Sequence, residues 1–236
     1  MLGLNYILPY QHQRRNIGSG AGVPLILKEK GLKEGQGLNE HTYNMVMKER
    51  NEWLTPCQLK ANLEQCFDEI AGKPNRFILT KFNLGPEAIN NQAITDLLTM
   101  SRPDNVALCG SYQAYIEQTY FVGTILDLRG VNKGKSVPGL DEKLTTLSQR
   151  FNSPAWIANN EDTIKGVEKF QIKAFEPDFE NDGKIAQRLL DFELLQLANA
   201  CVILADSGTQ SDRFNQILHW CQLYEIGVRK INLESA

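Results

Sequence analysis

The chain reads as an α/β protein built from two small three-layer domains with mostly parallel sheets, and three observations predict this. Short apolar runs suited to buried strands alternate with longer stretches of helical spacing along the 236 residues. Such alternation is the pattern of parallel strands joined by crossover helices. Glycine-rich or polar turns follow several of these runs, as at Gly18-Ser19-Gly20-Ala21-Gly22 and Asp206-Ser207-Gly208-Thr209. The length is enough for one large domain or two small ones with real cores.

The elements follow in order. Leu4 to Leu8 is a short apolar strand, and Ile17 to Lys30 holds a glycine loop and a helix that Gly31 stops. Gly35 to Asn39 is a turn, and His41 to Lys48 alternates as a strand. Thr55 is a helix N-cap with Pro56 at the first helical position. From there to Ala71, the residues Leu59, Leu63, Cys66, Phe67 and Ile70 recur at helical spacing, and Gly72 and Pro74 end the helix. Arg76 to Lys81 is a buried strand, Glu87 to Met100 a helix, and Val106 to Leu108 a short strand. The junction between domains is placed at Gly110 to Thr119, which gives domains of residues 1–115 and 120–236. In the second domain, Phe121 to Leu128, Ala155 to Ala158, Lys173 to Phe175, Ala200 to Ala205 and Val228 to Ile231 are strands. Leu140 to Phe151, Thr163 to Phe170, Lys184 to Ala200 and Ser211 to Glu225 are the helices between them.

Composition narrows the function classes. The net charge of −3 leaves no basic footprint for nucleic acid, which is not indicated as a partner. No apolar run is long enough to cross a bilayer, and the N-terminus does not have the form of a secretory signal, so a cytoplasmic protein with no membrane partner is expected. Cys57, Cys66, Cys109, Cys201 and Cys221 are widely spaced, with no CxxC pair, and the histidines His12, His41 and His219 are scattered. No metal is expected, and the cysteines read as reduced and mostly buried. Neither a G-x-S-x-G elbow nor a Walker-type phosphate loop occurs.

Ligands of open α/β sheets bind beyond the carboxyl ends of the strands, so the residues that follow strands are the candidates. In the first domain these are Asn5, Asn16, Gly18, Ser19, Gly20 and Gly22, then Thr80, Asn83 and Gly85. Glycines ahead of a helix let backbone amides reach a diphosphate, and an Asn reads a ribose or base edge. The same glycines also suit a plain turn. In the second domain the strand ends give Asp127 to Gly130, Asn159 to Asp162 and Asp206 to Thr209, with Asp127, Asn159, Asn160, Asp206, Ser207, Gly208 and Thr209 as the candidates. Asp206 suits a ribose hydroxyl, and Ser207 and Thr209 suit a phosphate; Thr209 or Ser211 also suits the N-cap of the next helix. Asp127, Glu161, Asp162, Glu176 and Asp178 are carboxylates available in principle for acid or base work, Asp206 and Asp127 being the catalytic candidates. Lys133 and Lys135 lie in a loop beside glycines, where they attract phosphate or are merely solvated.

Two resemblances rest on these residues. Asn5, NIGSGAGVPLIL (16–27), GLKEGQGLNEHTYNMVMK (31–48), FILTKFNLG (77–85) and PDNVAL (103–108) resemble a compact macro-like domain of the sort found in phage and bacterial proteins. That resemblance implies ADP-ribose or a related NAD metabolite as the bound molecule. Asn5, the Gly18–Gly22 loop and the Thr80–Gly85 loop would hold it. Lys81 and Phe82 depart from the small residues of that pattern, and Asn44 to Met47 depart from its aromatic-Ala-Ile-Pro run. From Tyr120 onward, IANNEDTIKGVEKF (157–170), LLQLANACVILADSGTQSDRF (194–214) and GVRKI (227–231) are similar to Rossmann-like domains of the SLOG and deoxyribosyltransferase-like group. Members bind nucleotides or act on N-glycosidic bonds. Asn159 and Asn160 stand where that group carries a glycine pair.

The expected function is binding, with processing left open, of an ADP-ribose or NAD-derived nucleotide. One alternative is hydrolysis or transfer at an N-glycosidic bond of a nucleoside. The other is a non-catalytic interaction protein with degenerate pockets, acting through a surface such as the helix of Trp220 and Tyr224. A small-molecule nucleotide is the expected partner, and homo-oligomerisation is left open.

Overall fold

The computed structural model describes residues 4–11, 37–38, 42–49, 52–81, 96, 98–130, 135–165, 167–206 and 211–233. The chain divides into two compact units, Gly3–Tyr112 and Gln113–Ala236. It is an α/β protein with two mostly parallel sheets and helices between their strands.

In the first unit, β1 (Leu4–Gln11) is central, flanked in parallel by β3 (Thr42–Glu49) and β5 (Arg76–Leu79), with β6 (Val106–Leu108) parallel beyond β5. The two-residue strands β2 (Gly37–Leu38) and β4 (Glu52–Trp53) run antiparallel to β3. β2 falls inside the segment expected to be a turn, because Gly37 and Leu38 pair with Asn44 and Tyr43. Helix α1 (Pro56–Ile70) begins in a capping box: the Thr55 hydroxyl accepts from the Gln58 amide, and the Gln58 side chain accepts from the Thr55 amide at 2.9 Å. Leu59, Leu63, Cys66, Phe67 and Ile70 form its buried face. Helix α2 (Gly110–Ile116) occupies the segment expected to be a junction, and the division between the units falls within it, between Tyr112 and Gln113. The helix read at 17–30 and most of the one read at 87–100 lie outside the described residues; Asp96 and Leu98 are helical.

The second unit holds β7 (Val122–Asp127), β8 (Ala155–Ala158), β9 (Ile172–Ala174), β10 (Ala200–Asp206) and β11 (Gly227–Leu233), all pairing in parallel. Its helices are α3 (Leu140–Ser148), α4 (Phe179–Asp182), α5 (Ala186–Leu197) and α6 (Asp212–Leu223). Across the sheet the order is β9-β8-β7-β10-β11. One core cluster gathers Phe121, Ile125, Leu140, Leu144, Trp156, Val202, Leu204 and Ile231 around the sheet. Gly123 is the register partner of Trp156, and a methyl group at Gly123 would collide with the indole ring.

The helix expected over Thr163 to Phe170 does not form. A single 3-10 turn, Asp162–Ile164, ends at Lys165, whose backbone turns away from helical geometry (φ −60°, ψ 122°). The Glu168 and Lys169 amides instead donate to the Asp141 carboxylate at 3.1 and 3.3 Å. A side chain that captures amides in this way competes with the helix ladder. Upstream of α5, the long helix expected from Lys184 is replaced at its start by a 3-10 turn, Gly183–Ile185.

Candidate functional site at a sheet crevice

Counted in chain order, the five strands of the second unit lie 3-2-1-4-5. The chain leaves β7 toward β8 on one side and returns to β10 on the other, so the order reverses between β7 and β10. In open α/β sheets such a reversal marks the crevice at the carboxyl ends of the two central strands where ligands usually bind. Asp127 ends β7 and Asp206 ends β10. Across this line the backbone amide of Gly130 donates to the Asp206 carboxylate at 2.9 Å. Asp206 is half-buried and Gly130 exposed.

Beneath the crevice lies a buried polar network. Arg129 grips Asp127 side-on, with Nε at 2.8 Å from one oxygen and Nη2 at 2.6 Å from the other. The Arg129 amide at 3.0 Å and the Thr163 hydroxyl at 3.0 Å complete four donors on the two carboxylate oxygens. The third guanidinium nitrogen, Nη1, donates to the Lys135 carbonyl at 2.8 Å. Asn159, at the end of β8, accepts from the Asp127 amide at 2.9 Å and donates to Asp191 of α5 at 3.4 Å. Asp191 in turn takes Arg213 of α6, Nε at 2.6 Å and Nη2 at 2.8 Å, and the Gln187 amide at 3.3 Å. Burial pushes the Asp191 carboxyl up, and the Arg213 guanidinium with the Asn159 and Gln187 amides pulls it back. β7, β8, α5 and α6 are thereby tied together at the carboxyl edge.

Asp127 is therefore buried and fully engaged, and Asn159 spends both ends of its amide inside the protein. Asn160 is also buried; its oxygen accepts from the Asp162 amide at 2.7 Å. Glu176 accepts from the Glu161 amide at 3.3 Å, and Asp178 caps α4. Ser211 caps α6, its hydroxyl accepting from Phe214 at 3.2 Å. Ser207, Gly208 and Thr209 lie outside the described residues, as do Lys133 and, in the first unit, Asn16, Gly18, Ser19, Gly20, Gly22, Asn83 and Gly85. Asn5 falls inside β1 near its start, paired with Phe77, rather than just after the strand, because β1 runs on to Gln11. Thr80 directly follows β5, and its hydroxyl and amide both donate to the Ile7 carbonyl, at 3.0 and 3.1 Å. Trp220 and Tyr224 do not form a surface: both are buried, with ring centroids 5.8 and 6.2 Å from Phe192.

Thr163, Asp191 and Arg213 escaped the sequence reading, and Arg129 lay in the strand-end stretch Asp127 to Gly130 without a role of its own. One signal for Asp191 was present, a carboxylate inside the apolar run Leu189 to Leu195. A hollow of about 570 Å³ lies elsewhere in this unit, between α3 and β11, lined by Lys143, Leu147, Arg229 and Lys230 among others. Its strand residues pair with the middle of β10, away from the carboxyl edge.

Fold and crevice define the second unit as a Rossmann-like α/β unit. Compared with known protein families, with curated proteins and with solved structures, the chain matches none. Among the described residues, no helix is long and apolar enough to cross a membrane, and no group of His, Cys, Asp and Glu is placed to hold a metal ion.

Proposed function

We propose that the second unit binds a nucleotide of the ADP-ribose or NAD-derived kind in the crevice between β7 and β10. The observation that carries this reading is the reversal of strand order at that point, with Asp206 at the mouth. A carboxylate at that mouth suits a ribose hydroxyl pair, since it accepts hydrogen bonds from hydroxyls and its charge repels a phosphate. Isothermal calorimetry with ADP-ribose, NAD and cyclic ADP-ribose tests it. Heat with at least one of them, reduced about tenfold or more in affinity by Asp206→Ala, is the expected result; silence with all three refutes the reading. Excess absorbance at 260 nm in the purified protein would report a retained nucleotide.

Processing of an N-glycosidic bond depends on Asp206 in this arrangement, because Arg129 and Thr163 already occupy the oxygens of Asp127. Chromatography of NAD and nucleosides after incubation with the protein checks for released base. The macro-like reading of the first unit stays a proposal about its glycine loops and is tested by the same titrations on a Gly20→Val variant.

A further inference from the structure

We infer that Arg213 is a specificity-determining residue that makes the crevice select a phosphorylated ligand over a bare nucleoside; this rests on the nucleotide reading above. Arg213 sits in the first turn of α6, just beyond the carboxyl end of β10. Its Nε and Nη2 are both committed to Asp191, whose side chain is 1% exposed, while Arg213 itself is 28% exposed. Nη1 has no hydrogen-bond partner among the described residues.

The molecule supplies its own contrast. Arg129 is the other guanidinium held side-on by a buried carboxylate at this edge. There both side chains are wholly buried, and Nη1 is satisfied by the Lys135 carbonyl. A counter-ion that serves only its carboxylate is finished in that way. Arg213 is clamped as tightly on one side and left open on the other. Asn159 and Gln187 hold Asp191, and Asp191 fixes the guanidinium plane, so the remaining donor is pre-positioned before any ligand arrives.

Charge sorts the ligand. Asp206 repels an anion, and a guanidinium attracts one through charge-assisted hydrogen bonds. A molecule that offers hydroxyls to the first and phosphate oxygens to the second satisfies both, which describes a nucleoside carrying a phosphate or diphosphate. The helix start beside Arg213 adds to the same preference.

The test compares ADP-ribose with adenosine by calorimetry, on the full chain and on two variants. Arg213→Lys keeps the charge and loses the flat fork. The double variant Asp191→Asn, Arg213→Gln replaces the ion pair by neutral amides, so that no buried charge is orphaned. Thermal melts verify that each variant is folded. The expected result is a preference for ADP-ribose of about tenfold or more in the native chain, reduced in Arg213→Lys and falling toward one in the double variant. Equal affinity for the two compounds in the native chain, or an unchanged preference in the double variant, overturns the role of Arg213 and leaves the nucleotide reading standing. Binding of neither compound overturns the role of Arg213, and the nucleotide reading falls with it when NAD and cyclic ADP-ribose are silent too.

Discussion

Arg129 and Asp127 are two residues apart in sequence and face each other as a fully buried, side-on ion pair, with contacts of 2.8 and 2.6 Å. The pair turns the chain at the end of β7 and fixes where Gly130 meets Asp206. Removing one member leaves the other charged and buried. Arg129→Met and Asp127→Ala are each expected to lower stability by about 3–5 kcal/mol. Urea unfolding followed by tryptophan fluorescence measures this. A loss under about 1 kcal/mol would mean that the pair is not buried as described.

Gly123 is required by Trp156. Any Cβ at Gly123 meets the indole ring, and Trp156 is 1% exposed, with Phe121 and Phe170 ring centroids at 5.3 and 6.3 Å. The ring has little room to retreat. Gly123→Ala should cost about 1–3 kcal/mol through overpacking, read as a lower denaturation midpoint. If space is the cause, Trp156→Phe in the same chain should recover part of that loss.

Asp178 ties stability to acid. Hydrogen bonds from the Asn181 side chain and backbone hold its carboxyl below the usual range. A group with a depressed native value contributes stability above its unfolded value, about 3.9, and loses that contribution as pH falls through the native one. Asp178→Asn keeps an N-cap that does not titrate. The stability difference between the native chain and this variant should therefore shrink as pH drops from about 5 to about 2. A difference that stays constant over that range would show that Asp178 is not engaged in the cap.

The cysteines separate by exposure. Cys57 is exposed, and the other four are buried. Burial pushes the Cys109 thiol up to about 11 and raises Cys66 as well, and Cys201 is raised by its contact with the Cys221 thiol and by burial. Thiolate is the reactive form. One thiol per chain should react quickly with Ellman's reagent in the native state, and the other four only after denaturant is added. Cys57→Ser should abolish the fast phase.

Local signals were readable wherever they were complete within a few residues. Thr55-Pro56 announced the start of α1, and the apolar runs Ala155–Ala158 and Ala200–Ala205 announced two parallel strands. The helix read over Thr163 to Phe170 failed for the opposite reason. Its amides are claimed by Asp141, more than twenty residues away in sequence, and no window around Thr163 contains that information.

The site divides along the same line. Asp206 and Asp127 were found because they end apolar runs. Arg129 follows the strand end with nothing local to mark it as buried, and Asp191 and Arg213 belong to helices whose spacing announces only packing. The alternation of strand and helix, the helix caps and the class of fold were written in the order of residues, since each depends on neighbours a few positions apart. The strand order that opens the crevice, and the partners that bury Asp127 and Asp191, were decided by folding alone. Both depend on which distant segments share a low-dielectric interior, where an unpaired charge is too costly to remain.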